Sequence, residues 1–222
     1  MAGKGVIVDF DFAVANGAEI LFETAKEFLK ELDGIKLDAS LEARYLAGNG
    51  YEEGFGRLFA VAKTKKTAPK AAREFAAAFA RRLTDAVPKA VGPSAKNFLK
   101  ALADKNVKLV VATRAGLEVV KTALAFVPEG KIAFYQEKSD CYGACRWDTW
   151  LRAARDAQIE RHLARALAGS GFAVRSALRA GLGVAAVVTP HVAYQDFGGA
   201  DAVLDELSGK TAKKLLETLR IQ

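Results

Sequence analysis

The sequence predicts an α/β protein in which a parallel sheet carries helices on both faces and is interrupted by a helical insertion. Three observations lead there. Residues 6–8 (VIV) are a short β-branched run followed by a polar turn, the pattern of a central strand buried on both faces. Residues 108–113 (KLVVAT) repeat that pattern, with helical segments at about 94–105 before them and 117–126 after them. The long interval 17–91 instead repeats apolar residues at helical spacing: Ile20, Leu21, Ala25, Phe28, Leu29 and Leu32, then Phe75, Phe79 and Leu83.

The remaining elements follow in order. Residues 132–135 read as a strand and residues 147–160 as a helix. Residues 163–167 read equally as a weak strand or as that helix continuing, because alanines and arginines dominate the stretch. A compact helix at 173–182 is stopped by Gly181 and Gly183, and residues 184–188 form a further strand. The last stretch, 200–219, reads as a turn plus one or two helices, LDEL and TAKKLLETL, covering one face of the sheet.

Composition excludes several classes. The chain has 222 residues, of which 51% are apolar and 27% charged, so it can bury a core and is not a disordered or collagen-like tail. No stretch approaches the ~20 apolar residues that span a bilayer, and Asp9 and Asp11 interrupt the first apolar run before a signal-peptide core is complete. Only two cysteines are present, which with the missing leader predicts a soluble, cytoplasmic protein without a disulfide framework. The net charge of +7 is uneven: residues 60–100 hold ten Lys or Arg against Glu74 and Asp85, a local +8. A solvated helix face explains this most simply, and an acidic protein partner comes next. Specific nucleic-acid binding is disfavoured, since no aromatic interleaving or reading helix accompanies the charge.

Asp9 and Asp11 stand two apart at the end of the first strand, so their carboxylates share one side if the strand continues. Open parallel sheets place ligands at the carboxyl ends of their strands, and Thr113 and Arg114 end the second strand at the corresponding level. With the opening VIVDFD, the insertion just after it, the strand end VVATRAG and the late AGLGVAAVVTPH, the chain resembles the haloacid-dehalogenase superfamily, in particular its small capped phosphatases and phosphomutases. The resemblance implies a Rossmann-like core of residues 1–16 and 92–222 and a helical cap of residues 17–91 that closes over the substrate. It implies that Asp9 is the nucleophile forming an aspartyl phosphate, that Asp11 is the general acid and base, and that Thr113 holds the phosphoryl group of a small phosphorylated molecule. Mg2+ would lie against Asp9 and the backbone carbonyl of Asp11. Gly48, Gly50 and Gly54 would permit a tight turn near the tip of the lid, or a simple packing turn.

Two parts of the family pattern are missing. Its fourth motif places acids just before S-x-x-G, whereas the matching stretch here is Ala168, Gly169, Ser170 and Gly171. The lysine that steadies phosphate and nucleophile has no clean match in GACRWDTW, which leaves Arg114, Arg146 and Lys138 as phosphate-binding cations and Asp140, Asp148 or Asp196 as replacement acids. Two functions stay open on sequence: a weak or atypical Mg2+-dependent phosphatase, and a catalytically degenerate binding or structural module, monomeric or homodimeric.

Lesser features have ordinary explanations. Cys141 and Cys145 lack zinc-type spacing to His162 and His191 and read as two loop thiols. Trp147 and Trp150 share one side of a helix and read as a packed stripe or small interface, and His191 as a loop histidine.

Overall fold

The computed structural model describes residues 3–105, 107–138, 140–143 and 145–218. Six strands form one parallel sheet in the order β3-β2-β1-β4-β5-β6. They are β1 (Gly3–Asp9), β2 (Lys108–Thr113), β3 (Ile132–Gln136), β4 (Ile159–Ala168), β5 (Gly183–Val187) and β6 (Ala202–Leu204). The chain builds outward from β1 through β2 to β3, then crosses back to lay β4 on the other side of β1. That reversal puts the switch point of the sheet beside β1, where open α/β sheets bind ligands.

The alternation along the central strands is buried on both sides. Val6, Val8, Leu109, Val111 and Leu167 face one apolar cluster, while Ile7, Val110, Ala164, Ala166 and Ala168 face another. The second layer packs α8 (Trp147–Asp156) and α9 (Gly171–Arg179) on the sheet, with the Trp150 side chain completely buried. Alanines on β4 and β5 make that close approach possible.

Between β1 and α6 (Pro93–Asp104) lies the inserted helical region: α1 (Phe10–Ala13), α2 (Gly17–Asp33), α3 (Ala39–Leu41), a π-helical turn at Glu42–Leu46, α4 (Tyr51–Ala62) and α5 (Ala68–Ala90). Phe28, Phe55, Phe75 and Phe79 make successive ring contacts within it. The same aromatic cluster reaches the sheet side through Phe12 and Tyr142, so insertion and sheet share one continuous core. Helices α7 (Leu117–Ala123) and α10 (Gly209–Thr218) complete the layers.

The structure decides two open readings and overturns one. Residues 159–168 are strand, not a continued helix: α8 stops at Asp156, Gln158 takes φ +56°, and pairing with β1 overrides the helical preference of alanine and arginine. The LDEL stretch is not a helix, because Leu204 ends β6 beside β5. Gly48 has φ +78° and packs against the core, since a Cβ there would stand 2.4 Å from the Phe172 ring of α9.

Candidate active site

Strand β1 ends at Asp9, and residues 10–13 turn at once into a short helix, so the strand geometry does not continue to Asp11. The two acids are nevertheless neighbours, and both are sealed: Asp9 is 0% exposed and Asp11 1%. Parallel pairing sets Asp9 beside Ala112, which delivers Thr113 and Arg114 from the end of β2 to the same level.

Asp11 is tightly held. Its Oδ1 accepts the Thr113 hydroxyl at 2.5 Å, while Oδ2 accepts the Arg114 backbone amide at 2.9 Å and faces the guanidinium Nη1 at 3.4 Å. Arg114 is itself buried, with its guanidinium carbon 5.7 Å from the centre of the Phe12 ring and Nη2 donating to the Cys141 carbonyl at 3.4 Å. The Thr113 hydroxyl also accepts the Ala115 amide at 3.0 Å, so it is engaged in both directions.

Asp9 has much less. The Cys145 thiol approaches its Oδ1 at 3.8 Å, and its Oδ2 is buried without a hydrogen-bond partner. Burial, reinforced by the charge of Asp11, pushes the Asp9 carboxyl up to about 7, and Arg114 and the Gly169 amide offset this only in part. Burial also raises Asp11, but Arg114 and the Thr113 and backbone hydrogen bonds act against it. Hydrogen bonds to the ionised form favour that form, so Asp11 is the better-supported carboxylate of the two.

The arrangement does not fit Mg2+. A hard cation of this size requires a nearly octahedral oxygen shell. Beyond Asp9, the positions expected to supply acids are Ala168 and Gly169, at the end of β4; Ala168 packs in the second apolar cluster, and a Cβ at Gly169 would lie 2.1 Å from the Phe12 carbonyl carbon and 2.3 Å from the Ala13 nitrogen. At Gly169 no acidic side chain has room to start. Ser170 is occupied as well, its hydroxyl donating to the Gly143 carbonyl at 2.5 Å and capping α9 through the Ala173 amide at 3.0 Å. The Asp11 carbonyl presses on the start of α2, where a Cβ on Gly17 would stand 2.4 Å from its oxygen. Among the described residues no three His, Cys, Asp or Glu side chains group as a metal site.

The other named candidates lie apart. Lys138 and Arg146 are exposed and share the wall of a separate groove with Thr149 and Arg152. Arg146 pairs with Asp148 at 3.3 Å, and Asp148 also pairs with Arg152 at 3.2 Å. The Asp140 carbonyl accepts the Tyr51 amide, and Asp196 closes its own turn on the Gly198 amide. Of the residues expected at the site, Asp9, Asp11, Thr113 and Arg114 converge. Two that sequence reasoning missed join them: Cys145, and Glu137, which is buried directly after β3 and adds negative field at Asp9. The place of Glu137 past a strand end was a usable signal; nothing local marked Cys145.

The insertion closes over this centre. The Gly48 amide donates to the Tyr142 carbonyl at 2.9 Å, the Tyr142 amide to the Asn49 carbonyl at 2.8 Å, and the Tyr142 hydroxyl to Glu42 at 2.8 Å. A small cavity beside it, bounded by Phe12, Leu21, Glu42, Tyr142, Ser170 and His191, holds about 20 Å3 of free space. That is room for a single water.

No family model matches the sequence, and no curated protein matches it. Solved structures do. CbbY from Rhodobacter sphaeroides, determined with phosphate, superposes with a TM-score of 0.66 at 20% identity over 93% of this chain and 95% of that one. A β-phosphoglucomutase from Clostridium difficile gives 0.70 at 14% identity over 99% and 98%. A HAD family hydrolase from Deinococcus radiodurans, with phosphate and sodium bound, gives 0.60 at 17% identity over 99% and 97%. The chain has the fold of these hydrolases and phosphomutases, a Rossmann-like parallel core with an inserted helical region. Among the described residues no helix is long and apolar enough to cross a membrane.

Proposed function

We propose that this protein is a haloacid-dehalogenase-fold module that does not carry out metal-assisted phosphoryl transfer, and that its D-x-D centre is a closed, internally neutralised part of a binding protein. The contact of the Arg114 guanidinium with the Asp11 carboxylate carries this reading. Attack on a phosphomonoester would require an ionised Asp9 and a proton on Asp11 for the leaving alcohol. The surroundings work against that pairing, because hydrogen-bond donors and a cation gather on Asp11 while burial raises the Asp9 carboxyl to about 7. A phosphate dianion entering beside Asp9, Asp11 and Glu137 would meet buried carboxyl groups, with the Arg114 guanidinium already against Asp11.

The second reading, a weak phosphatase acting through Asp9 on a small phosphomonoester, rests on the unpartnered Asp9 Oδ2 beside Thr113 and Arg114. One measurement separates the two: phosphate release from a panel of small phosphomonoesters, with Mg2+ and with a chelator, for the native chain and Asp9→Asn. The binding-module reading expects the two proteins to release phosphate equally. Mg2+-dependent turnover by the native chain alone would replace it with the phosphatase.

A further inference from the structure

A second concave site lies on the face where α8 and α9 meet the insertion. It is an open concavity of about 410 Å3, within the size range of small-molecule pockets. Its charge-bearing and aromatic lining is Arg146, Trp147, Phe172, Arg175 and Arg179, and no acidic side chain lines it. Arg175 and Arg179 stand one helical turn apart on α9, both exposed. Arg175 lies over the Phe172 ring at 4.6 Å and Arg179 over the Trp147 ring at 5.8 Å. Among the described residues neither pairs with a carboxylate. Arg146 is partly compensated by Asp148, which it shares with Arg152.

The chemistry is specific. A guanidinium lying over a ring keeps N–H donors for an acceptor, and arginines one helical turn apart can both reach the oxygens of one phosphate. Trp147 is 42% exposed although it is a large apolar ring, so it offers a stacking surface next to those forks. It is also the first residue of α8, whose preceding residue, Arg146, makes no side-chain cap.

We propose that this groove binds a small molecule joining an aromatic ring to a phosphate, of the mononucleotide class, with the phosphate on Arg175 and Arg179 and the ring on Trp147. The groove meets the D-x-D centre through Cys145, whose thiol approaches Asp9, and through Cys141, whose carbonyl accepts from Arg114. The inference therefore goes beyond the proposed function and stands whether or not Asp9 turns anything over.

Trp147 supplies the readout. The chain has two tryptophans, and Trp150 is buried with its indole N–H on Ser176, so fluorescence quenching by a bound ring reports chiefly on Trp147. The full chain is titrated with adenosine monophosphate, with adenosine, with inorganic phosphate and with an acidic hexapeptide. Saturable quenching by the nucleotide is expected, with adenosine and phosphate each at least ~10-fold weaker. Arg175→Ala with Arg179→Ala is expected to weaken the nucleotide at least ~10-fold, as loss of charge-assisted hydrogen bonds implies. Lys65→Ala with Lys66→Ala removes the same charge from the insertion and is expected to leave binding unchanged. No saturation by the nucleotide, equal binding of phosphate alone, equal weakening by the lysine pair, or saturation by the hexapeptide in place of the nucleotide would each overturn the proposal. Both arginines are exposed; thermal unfolding of the double variant at the native temperature confirms that a loss of binding belongs to the groove.

Discussion

The Asp9–Asp11 centre and the arginine groove meet at Cys145 but treat charge in opposite ways. In the centre Asp9, Asp11, Glu137 and Arg114 are all buried, and among the described residues the cation, Arg114, lies against a carboxylate of the same chain. In the groove the cations are exposed, and Arg175 and Arg179 lie over aromatic rings with no carboxylate partner among the described residues. A charge withdrawn from water must be compensated inside the fold and is then unavailable to a ligand; a charge left at the rim of a cleft costs little and stays free to bind. The D-x-D centre and the exposed arginine groove are therefore electrostatically distinct regions of this molecule.

The largest expected effect breaks the compensation in the centre. Arg114→Ala leaves Asp11 buried beside Asp9 without its cation, which should cost about 3–5 kcal/mol in urea unfolding. Arg114→Ala combined with Asp11→Asn removes both charges and should recover much of that loss. A single variant losing under ~1 kcal/mol would mean that the guanidinium is not what neutralises the centre.

Asp9 gives the next effect, and its sign is set by a raised carboxyl. With the folded value near 7 and the unfolded value near 3.8, the folded protein binds the proton more tightly between them. Stability from this group is fully present below about pH 4 and is lost as the pH rises through 7, by at most ~4 kcal/mol. Urea midpoints at pH 5 and pH 8 should differ in that direction for the native chain and much less for Asp9→Asn. An identical pH dependence in both would place the buried proton elsewhere.

How far the sequence went follows the same division between local pattern and distant contact. Strand β2 and helix α6 were legible because β-branched runs and helical periodicity are local signals that the parallel sheet reinforces. Strand β4 was ambiguous because its alanines and arginines suit a helix, and only pairing with β1, more than 150 residues earlier, decides it. The three-residue β6 is too short to carry a pattern. At the site, Asp9, Asp11, Thr113 and Arg114 were identified from strand ends and motif spacing. That Arg114 would turn onto Asp11 was not legible, nor that Cys145 would reach Asp9, because each is a tertiary contact over more than 100 residues. The missing acid at position 169 was visible as a glycine; the absence of space for one was not.

Gly169→Ala tests that space with a smaller effect. Its Cβ would enter the Phe12–Ala13 backbone, and overpacking of this kind costs about 1–3 kcal/mol. Gly169→Asp should lose at least as much and gain no Mg2+ binding in calorimetry. A stable Gly169→Asp chain that takes up Mg2+ would show that the turn yields and that the centre is one substitution away from a metal shell.

The smallest effect probes what keeps the two regions different. The centre is sealed because the insertion is fastened to the loop before α8 by backbone hydrogen bonds and by the Tyr142 hydroxyl on Glu42. Tyr142→Phe removes only the last of these, about 1 kcal/mol, and keeps the ring against Phe75. A loss of that size in the closed state raises the open population by roughly fivefold to tenfold. Cys145 reports it directly, since its thiol is buried against Asp9 and burial holds it well above the usual thiol range. In a Cys141→Ser background, Tyr142→Phe should speed labelling of Cys145 by a thiol reagent by that factor while leaving nucleotide quenching at Trp147 unchanged. Faster labelling together with altered quenching would mean that the centre and the groove open as one, and that their separation is a property of the closed state alone.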